Sequence, residues 1–304
     1  MFFLNMFFRK LRVLGLVMAG LLGYFSGGAQ PLVAPKTVDF FVGVDFNYRD
    51  IFLEKPYEFL INLTPGVKWH FGKQWQFAAQ AIIPVYNDYG DRYKRVRLNM
   101  AVLSKEWYFR QRWFLKLSGG WFTDERYGLD VKAMYVMNDW LAWELQAGWT
   151  GFVSMAAGWQ ASTPERWTAL AGANVYLNRW NTQFRLRGGK YIYEDYGVSL
   201  DAMRHFTHCS VGLYGEYSDQ WGKNGGFKVI VMIPPYKRKV RKVNVRPASN
   251  FRLTYNVQAD PYQNRMYATD PEENEREGWF SRDSLCWGSN RMAPDFVRKE
   301  VTHE

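Results

Sequence analysis

Cysteine is scarce in this 304-residue chain, where Cys209 and Cys286 are the only two. Two thiols cannot build the disulfide framework that holds small secreted domains together, although one bridge between them is chemically open in an oxidising compartment. Histidine is scarce too, with four residues. His205 and His208 stand close together but lack further ligands at the spacing a zinc site needs. The sequence therefore implies neither a metal nor any other cofactor. It contains no G-x-x-x-x-G-K run and no dinucleotide-binding glycine run, which removes the common nucleotide-binding classes. Past the N-terminal region, no apolar run approaches the roughly 20 residues of a membrane-spanning helix.

Aromatic residues are abundant, at 18% of the chain with 14 Trp. The mean hydropathy is nevertheless only −0.36. Many aromatics with middling hydropathy is the profile of a transmembrane β-barrel, in which only alternate strand residues face lipid and aromatic girdles mark both interfaces. Lys and Arg number 39 against 29 Asp and Glu, a net charge of +10. Such an excess suits polyanions in general, so the compartment decides its meaning.

The first 29 residues address the compartment. Arg9, Lys10 and Arg12 precede an apolar run from Val13 to Phe25, and Ser26, Gly27, Gly28 and Ala29 follow. This is the pattern of a secretory signal peptide cut after Ala29. Export argues against nucleic acid as a partner.

From Val38 onward the apolar residues alternate. Val38, Phe40, Val42, Val44 and Phe46 oppose Asp39, Phe41, Gly43, Asp45 and Asn47. Leu141, Trp143, Leu145, Ala147 and Trp149 oppose Ala142, Glu144, Gln146 and Gly148. As a helix the latter segment would have no apolar stripe, whereas as a strand it has one clean face. Similar segments recur, among them one placing Val96, Leu98, Met100 and Val102 on the apolar face against Arg95, Arg97 and Asn99. Turn-forming stretches such as "NDYGDRY" and "GKNGG" separate them. The reading is an all-β transmembrane, antiparallel up-and-down β-barrel of about twelve strands with a C-terminal periplasmic tail. Its divisions are a signal peptide over 1–29, an outer-membrane barrel over 30–235 and a charged periplasmic tail or plug over 236–304. "SNFRLTYNVQ" within that tail has the alternation of one further strand. A soluble sandwich or lipocalin-like barrel shares the periodicity with its polarity reversed. Strands of about ten residues with Trp and Tyr at their ends favour the bacterial outer membrane and its lipid.

On this reading the lumen would carry Arg95, Arg97, Lys116, Lys132, Glu144, Arg185, Arg187, Asp201, Glu216 and Lys228. Paired, they would pack a narrow lumen; unpaired, they would form an anion-leaning channel for small solutes. Ser199, Asp201 and His205 share one strand face, the residue types of a hydrolytic site. Ser199 and His205 lie roughly 20 Å apart along a strand, however, too far for nucleophile and base. No catalytic residue is identified, and the chain reads as a non-enzyme, with a lipid- or glycan-modifying enzyme the weakest alternative. The basic cluster Lys237, Arg238, Lys239, Arg241 and Lys242 follows "IPP", which ends the last barrel strand because proline cannot continue a ladder. There it would meet anionic headgroups where the chain leaves the bilayer.

The stretch "GVSLDAMRHF", the "VGLYGEYSD" strand after it, a glycine-rich turn and a last strand ending in Ile-Pro-Pro resemble the YjbH-like outer-membrane family. The likeness covers about the last third of the expected barrel, with "RPASNFRLTYN" as a weaker extension. It implies a barrel fold and a part in exopolysaccharide assembly or export, with polysaccharide-export or assembly proteins as partners. The family has no assigned catalytic residues.

Overall fold

The computed structural model describes residues 38–256, apart from 52–54, 72–73, 89, 91–93, 110–112, 139, 156–158, 207–208, 233–241 and 249, together with 265–271. The expected signal peptide, Cys286 and the basic residues Lys237, Arg238, Lys239 and Arg241 lie outside the described residues.

The described chain is all-β. Twelve long strands follow one another, each antiparallel to the next: β1 (Val38–Ile51), β2 (Lys55–Phe71), β3 (Trp75–Asn87), β4 (Arg97–Phe109), β5 (Trp113–Phe122), β6 (Arg126–Val136) and β7 (Leu141–Ser154), then β9 (Arg166–Leu177), β10 (Thr182–Lys190), β11 (Tyr196–His205), β12 (Cys209–Ser218) and β13 (Gly222–Met232). Between β7 and β9 the two-residue β8 (Gln160–Ala161) pairs with the end of β7. Two short strands complete the sheet, β14 (Val243–Pro247) and β15 (Asn250–Asn256). The sheet thus has fifteen strands rather than about twelve. Alternation in "SNFRLTYNVQ" anticipates β15, but periodicity misses β8, which has two residues, and β14, which has five, too few to establish a period. The sheet therefore extends past residue 235.

The last two strands deal with the sheet edges. β14 runs parallel to β1, and β15 runs antiparallel to β13, so both run in one direction as a single course interrupted after Pro247. Laid flat, eleven interstrand steps would set β1 about 53 Å from β13. From Pro247 to Asn250 the chain can reach only about 11 Å. The sheet therefore curls until its two edges approach. The Ala248 N–H donates to the Val42 carbonyl at 2.9 Å, and the rings of Phe46 and Phe251 lie 6.3 Å apart. Among the described residues no hydrogen-bonded ladder joins β1 to β15, so the sheet is not closed in that sense.

Curling requires local bending. Gly120 and Gly128 face each other across β5 and β6, with φ of 138° and 149°. A side chain at either position would run into the carbonyl of the adjoining strand, Ala101 or Trp149. Only glycine accepts both that backbone conformation and that approach, and such kinks let a sheet coil.

Because strand side chains alternate, each strand contributes to two faces. The two faces here have inverted polarity. The buried face carries Asn62, Thr64, Lys68, Gln76, Gln80, Ser104, Lys116, Ser118, Asp130, Lys132, Glu144, Gln146, Arg185 and Arg187. The exposed face carries Phe40, Val42, Leu63, Leu103, Leu129, Trp143, Leu145, Leu186, Leu200 and Leu213. Exposed aromatics gather near the strand ends. Trp69, Trp113, Trp140 and Trp180 lie toward one end of the sheet, and Trp159, Trp167, Tyr196, Tyr217 and Trp221 toward the other.

One expected face is corrected. Met100 and Val102 of β4 are buried, not on the exposed apolar face with Leu98. A register shift between Gln80 and Ala81 leaves Asn99 as the extra residue, so Met100 pairs with Gln80 while Leu98 pairs with Ala81. A bulge reverses the phase of every residue beyond it.

Candidate functional site: a chain segment seated on the buried polar face

The feature that organises the buried face is not a strand. All seven residues from Arg265 to Pro271 are buried, in a segment without strand pairing. Strand and turn residues hold it at three places.

At its start, Arg265 extends to the turn between β10 and β11 and to β12. Its Nη2 lies 2.8 Å from Asp195 Oδ2, its Nε donates to the same oxygen at 2.9 Å, and Nη1 lies 3.5 Å from Glu216 Oε2. The guanidinium also covers the Tyr191 ring at 3.8 Å from the centroid. A planar cation between a carboxylate and a ring is the geometry for which Arg is suited and Lys is not.

The centre is apolar with one polar tip. Met266, Tyr267 and Ala268 pack with Met100, Val102, Phe122, Leu170, Tyr191 and Ile192. The bulge in β4 supplies two of these partners. Tyr267 stacks on Phe122 at 4.9 Å between centroids, an offset arrangement favoured by the ring quadrupoles. Its hydroxyl donates to Asp130 Oδ1 at 2.9 Å, an oxygen that also accepts from Gln146 Nε2 at 2.9 Å. The backbone is pinned on both sides of Ala268, whose N–H donates to Thr123 Oγ1 at 2.8 Å and whose carbonyl accepts from the Thr123 N–H at 3.3 Å.

At the far end Lys132 Nζ donates to Thr269 Oγ1 at 2.9 Å. Asp270 meets Lys68 at 2.7 Å and Lys116 at 3.6 Å, and accepts from Gln76 Nε2 at 3.3 Å. These donors stand on β2, β3, β5 and β6.

A second polar cluster lies farther round the sheet. Glu144 Oε1 accepts from Arg185 Nε at 2.8 Å and lies 3.8 Å from Arg187 Nε, while Asn174 donates to Oε2 at 3.1 Å. Lys228 Nζ lies 2.5 Å from Asp201 Oδ1 and sits over the Tyr214 ring. His205 contacts Ser210 Oγ at 2.8 Å through Nδ1 and Gln183 Oε1 at 3.2 Å through Nε2. Both partners of the imidazole are neutral. Asp201, which shares a strand face with it, is engaged by Lys228 instead.

Of the charged residues expected to line a lumen, Lys116, Lys132, Glu144, Arg185, Arg187, Asp201 and Lys228 are buried on the polar face. Glu216 reaches the same face to meet Arg265, and Arg97 is half-buried opposite Ile82 at the start of β4. Arg95 does not belong with them: it lies before β4 on an exposed bend, beyond the reach of strand alternation. Lys242 is exposed, and its carbonyl accepts from the Val38 N–H at 2.8 Å where β14 meets β1. Cys209 opens β12 as a half-buried thiol.

Sequence reasoning also missed Lys68, Asp195, Arg265, Tyr267 and Asp270. The first lies on a strand whose alternation could have found it. The last three lie in a segment with no periodicity, and Asp195 sits in a turn. Among the described residues no group of three or more His, Cys, Asp or Glu could hold a metal ion. No protein-family model, curated protein or solved structure matches the chain.

Proposed function

We propose that the chain is an outer-membrane β-barrel, filled by its own C-terminal segment, that acts without catalysis in exopolysaccharide assembly or export. The observation carrying the membrane part is the inverted polarity. A water-soluble sheet buries its hydrocarbon and exposes its charge, and large exposed apolar surfaces mark contact with membrane or partner. Here Lys, Arg, Asp and Glu are buried while Leu, Val and Trp are exposed. In a bilayer this arrangement is the stable one, with aromatics at the two interfaces.

The closed-lumen part follows from pairing. The cations that would draw anions through a pore are met by carboxylates: Arg185 and Arg187 by Glu144, Lys228 by Asp201, and Lys68 and Lys116 by Asp270. Arg265–Pro271 occupies the space between the walls. A scaffold accounts for such a filled interior better than an anion-leaning channel does. The polysaccharide role comes from the YjbH-like resemblance of the "GVSLDAMRHF" to Ile-Pro-Pro region.

Planar-bilayer recording separates the readings. The wild-type chain should be electrically silent, and steady anion-selective conductance would favour the channel. In cells, loss of the chain should reduce matrix polysaccharide and leave small-solute permeability normal. Unchanged matrix would remove the polysaccharide role. Fractionation with the membrane and heat-modifiable gel migration test the barrel itself.

A further inference from the structure

The contacts of Asp270 divide by role. The donors Lys68, Gln76 and Lys116 stand on strands, and the acceptor comes from the inserted segment. Lys68 on β2 meets one carboxylate oxygen, while Gln76 on β3 and Lys116 on β5 meet the other. Lys132 on β6 adds a donor at the neighbouring Thr269. The donors are buried and held by paired strands, so their positions do not depend on local ordering of the segment.

We propose that Lys68, Gln76, Lys116 and Lys132 form a carboxylate-binding site, occupied in cis by Asp270. A carboxylate is the fitting class because two cations and an amide already divide its two oxygens among them. Lys116 is also met by Glu106 at 3.5 Å. Removing Asp270 deprives two buried lysines and a buried amide of the carboxylate they share, and buried donors that lose an acceptor favour any small anion that can reach them. This inference rests on the filled-interior reading only in that the segment is the present occupant. A conducting wild-type chain would defeat that reading and leave the site intact.

The test is chemical rescue in the purified full-length chain, folded in detergent. Asp270→Ala and the isosteric Asp270→Asn are titrated with acetate at constant ionic strength, with acetamide as the neutral control. The readout is the temperature at which the compact, heat-modifiable form is lost on a gel. Both variants should unfold below wild type, and acetate should raise the transition of Asp270→Ala saturably. Acetamide should not, and wild type should not respond at the same concentrations. Adding Lys68→Gln should reduce the acetate effect at least tenfold in midpoint concentration. The inference is overturned if acetate and acetamide act alike, or if the Lys68→Gln background responds as well as its parent. Should Asp270→Ala fail to fold, the comparison is made on Asp270→Gly, which leaves the space of the whole side chain for acetate, and absence of any acetate-specific rise there equally defeats it.

Discussion

Tyr267 donates a hydrogen bond of 2.9 Å to Asp130 across 137 positions of sequence. Both residues are fully buried, at 0% exposure. Asp130 stands on β6 and Tyr267 on the inserted segment, so this bond joins the two parts of the structure. Around it, Phe122 stacks on the phenol ring and Gln146 shares the carboxylate oxygen. The wall and its filling are therefore one polar network with an apolar centre, and weakening either should loosen both.

Gly148 is the notch that admits Tyr267. It faces inward on β7, and a Cβ there would collide with the Tyr267 hydroxyl and crowd Thr168 Oγ1. Gly148→Ala should cost about 1–3 kcal/mol, the usual cost of overpacking. Gly215 on β12 is the control, since a Cβ there meets nothing within 4 Å. Gly215→Ala should change stability by less than about 0.5 kcal/mol. Urea unfolding of the lipid-reconstituted protein, followed by Trp fluorescence, measures both. Equal losses would mean that Tyr267 is not seated at Gly148.

Arg265 and Asp195 form a buried pair whose side chains are 3% and 0% exposed. Removing one partner of such a pair leaves an uncompensated charge and costs about 3–5 kcal/mol. Asp195→Asn and Arg265→Met should each approach that loss. The double variant should lose less than the sum, because Asp195 and Arg265 then no longer strand each other, while Glu216 loses its guanidinium equally in Arg265→Met and in the double variant. A double-mutant cycle in urea gives the coupling. A coupling indistinguishable from zero would separate the segment from the turn that holds it.

The long strands were legible because burying one face of a sheet forces a period of two on the sequence. Glu144, Arg185, Arg187 and Lys228 could be assigned to a face from that rule alone. Which face is buried could not, since alternation reads the same in either direction. Phase was lost where the rule breaks. The bulge opposite Gln80 turned Met100 and Val102 inward, and no residue type at Asn99 announces it. Arg95 sits on a bend where alternation does not apply. Arg265–Pro271 was illegible for a different reason. Its place is set by side chains from at least five strands, and a segment held by its surroundings carries no period of its own.

His205 and Ser210 touch at 2.8 Å, and among the described residues no carboxylate orients the imidazole; Gln183 fills that place. On the non-enzyme reading this is a structural bond. Ser210→Ala should strand a buried ring nitrogen at a cost of about 1–3 kcal/mol. Neither wild type nor the variant should hydrolyse short-chain esters or phospholipid in detergent micelles. Hydrolysis by wild type that Ser210→Ala abolishes would make the pair a nucleophile and its base.

Leu145 and Leu213 test the membrane itself. They are 60% and 68% exposed, on β7 and β12, well inside their strands. On a protein surface in water, Leu→Arg at such a site would change stability by no more than about 0.5 kcal/mol. Facing the middle of a bilayer, the same change costs about 2–4 kcal/mol, and the cost falls toward the interfaces. Leu145→Arg and Leu213→Arg should therefore destabilise the protein folded in phosphatidylcholine vesicles by that larger amount. Exposed Trp113, at the start of β5, lies where an interface is expected, so Trp113→Arg should cost less than either leucine change. The gradient is the informative result, because a soluble sheet has no depth to report. If all three substitutions were near neutral, the exposed apolar face would not be a lipid face.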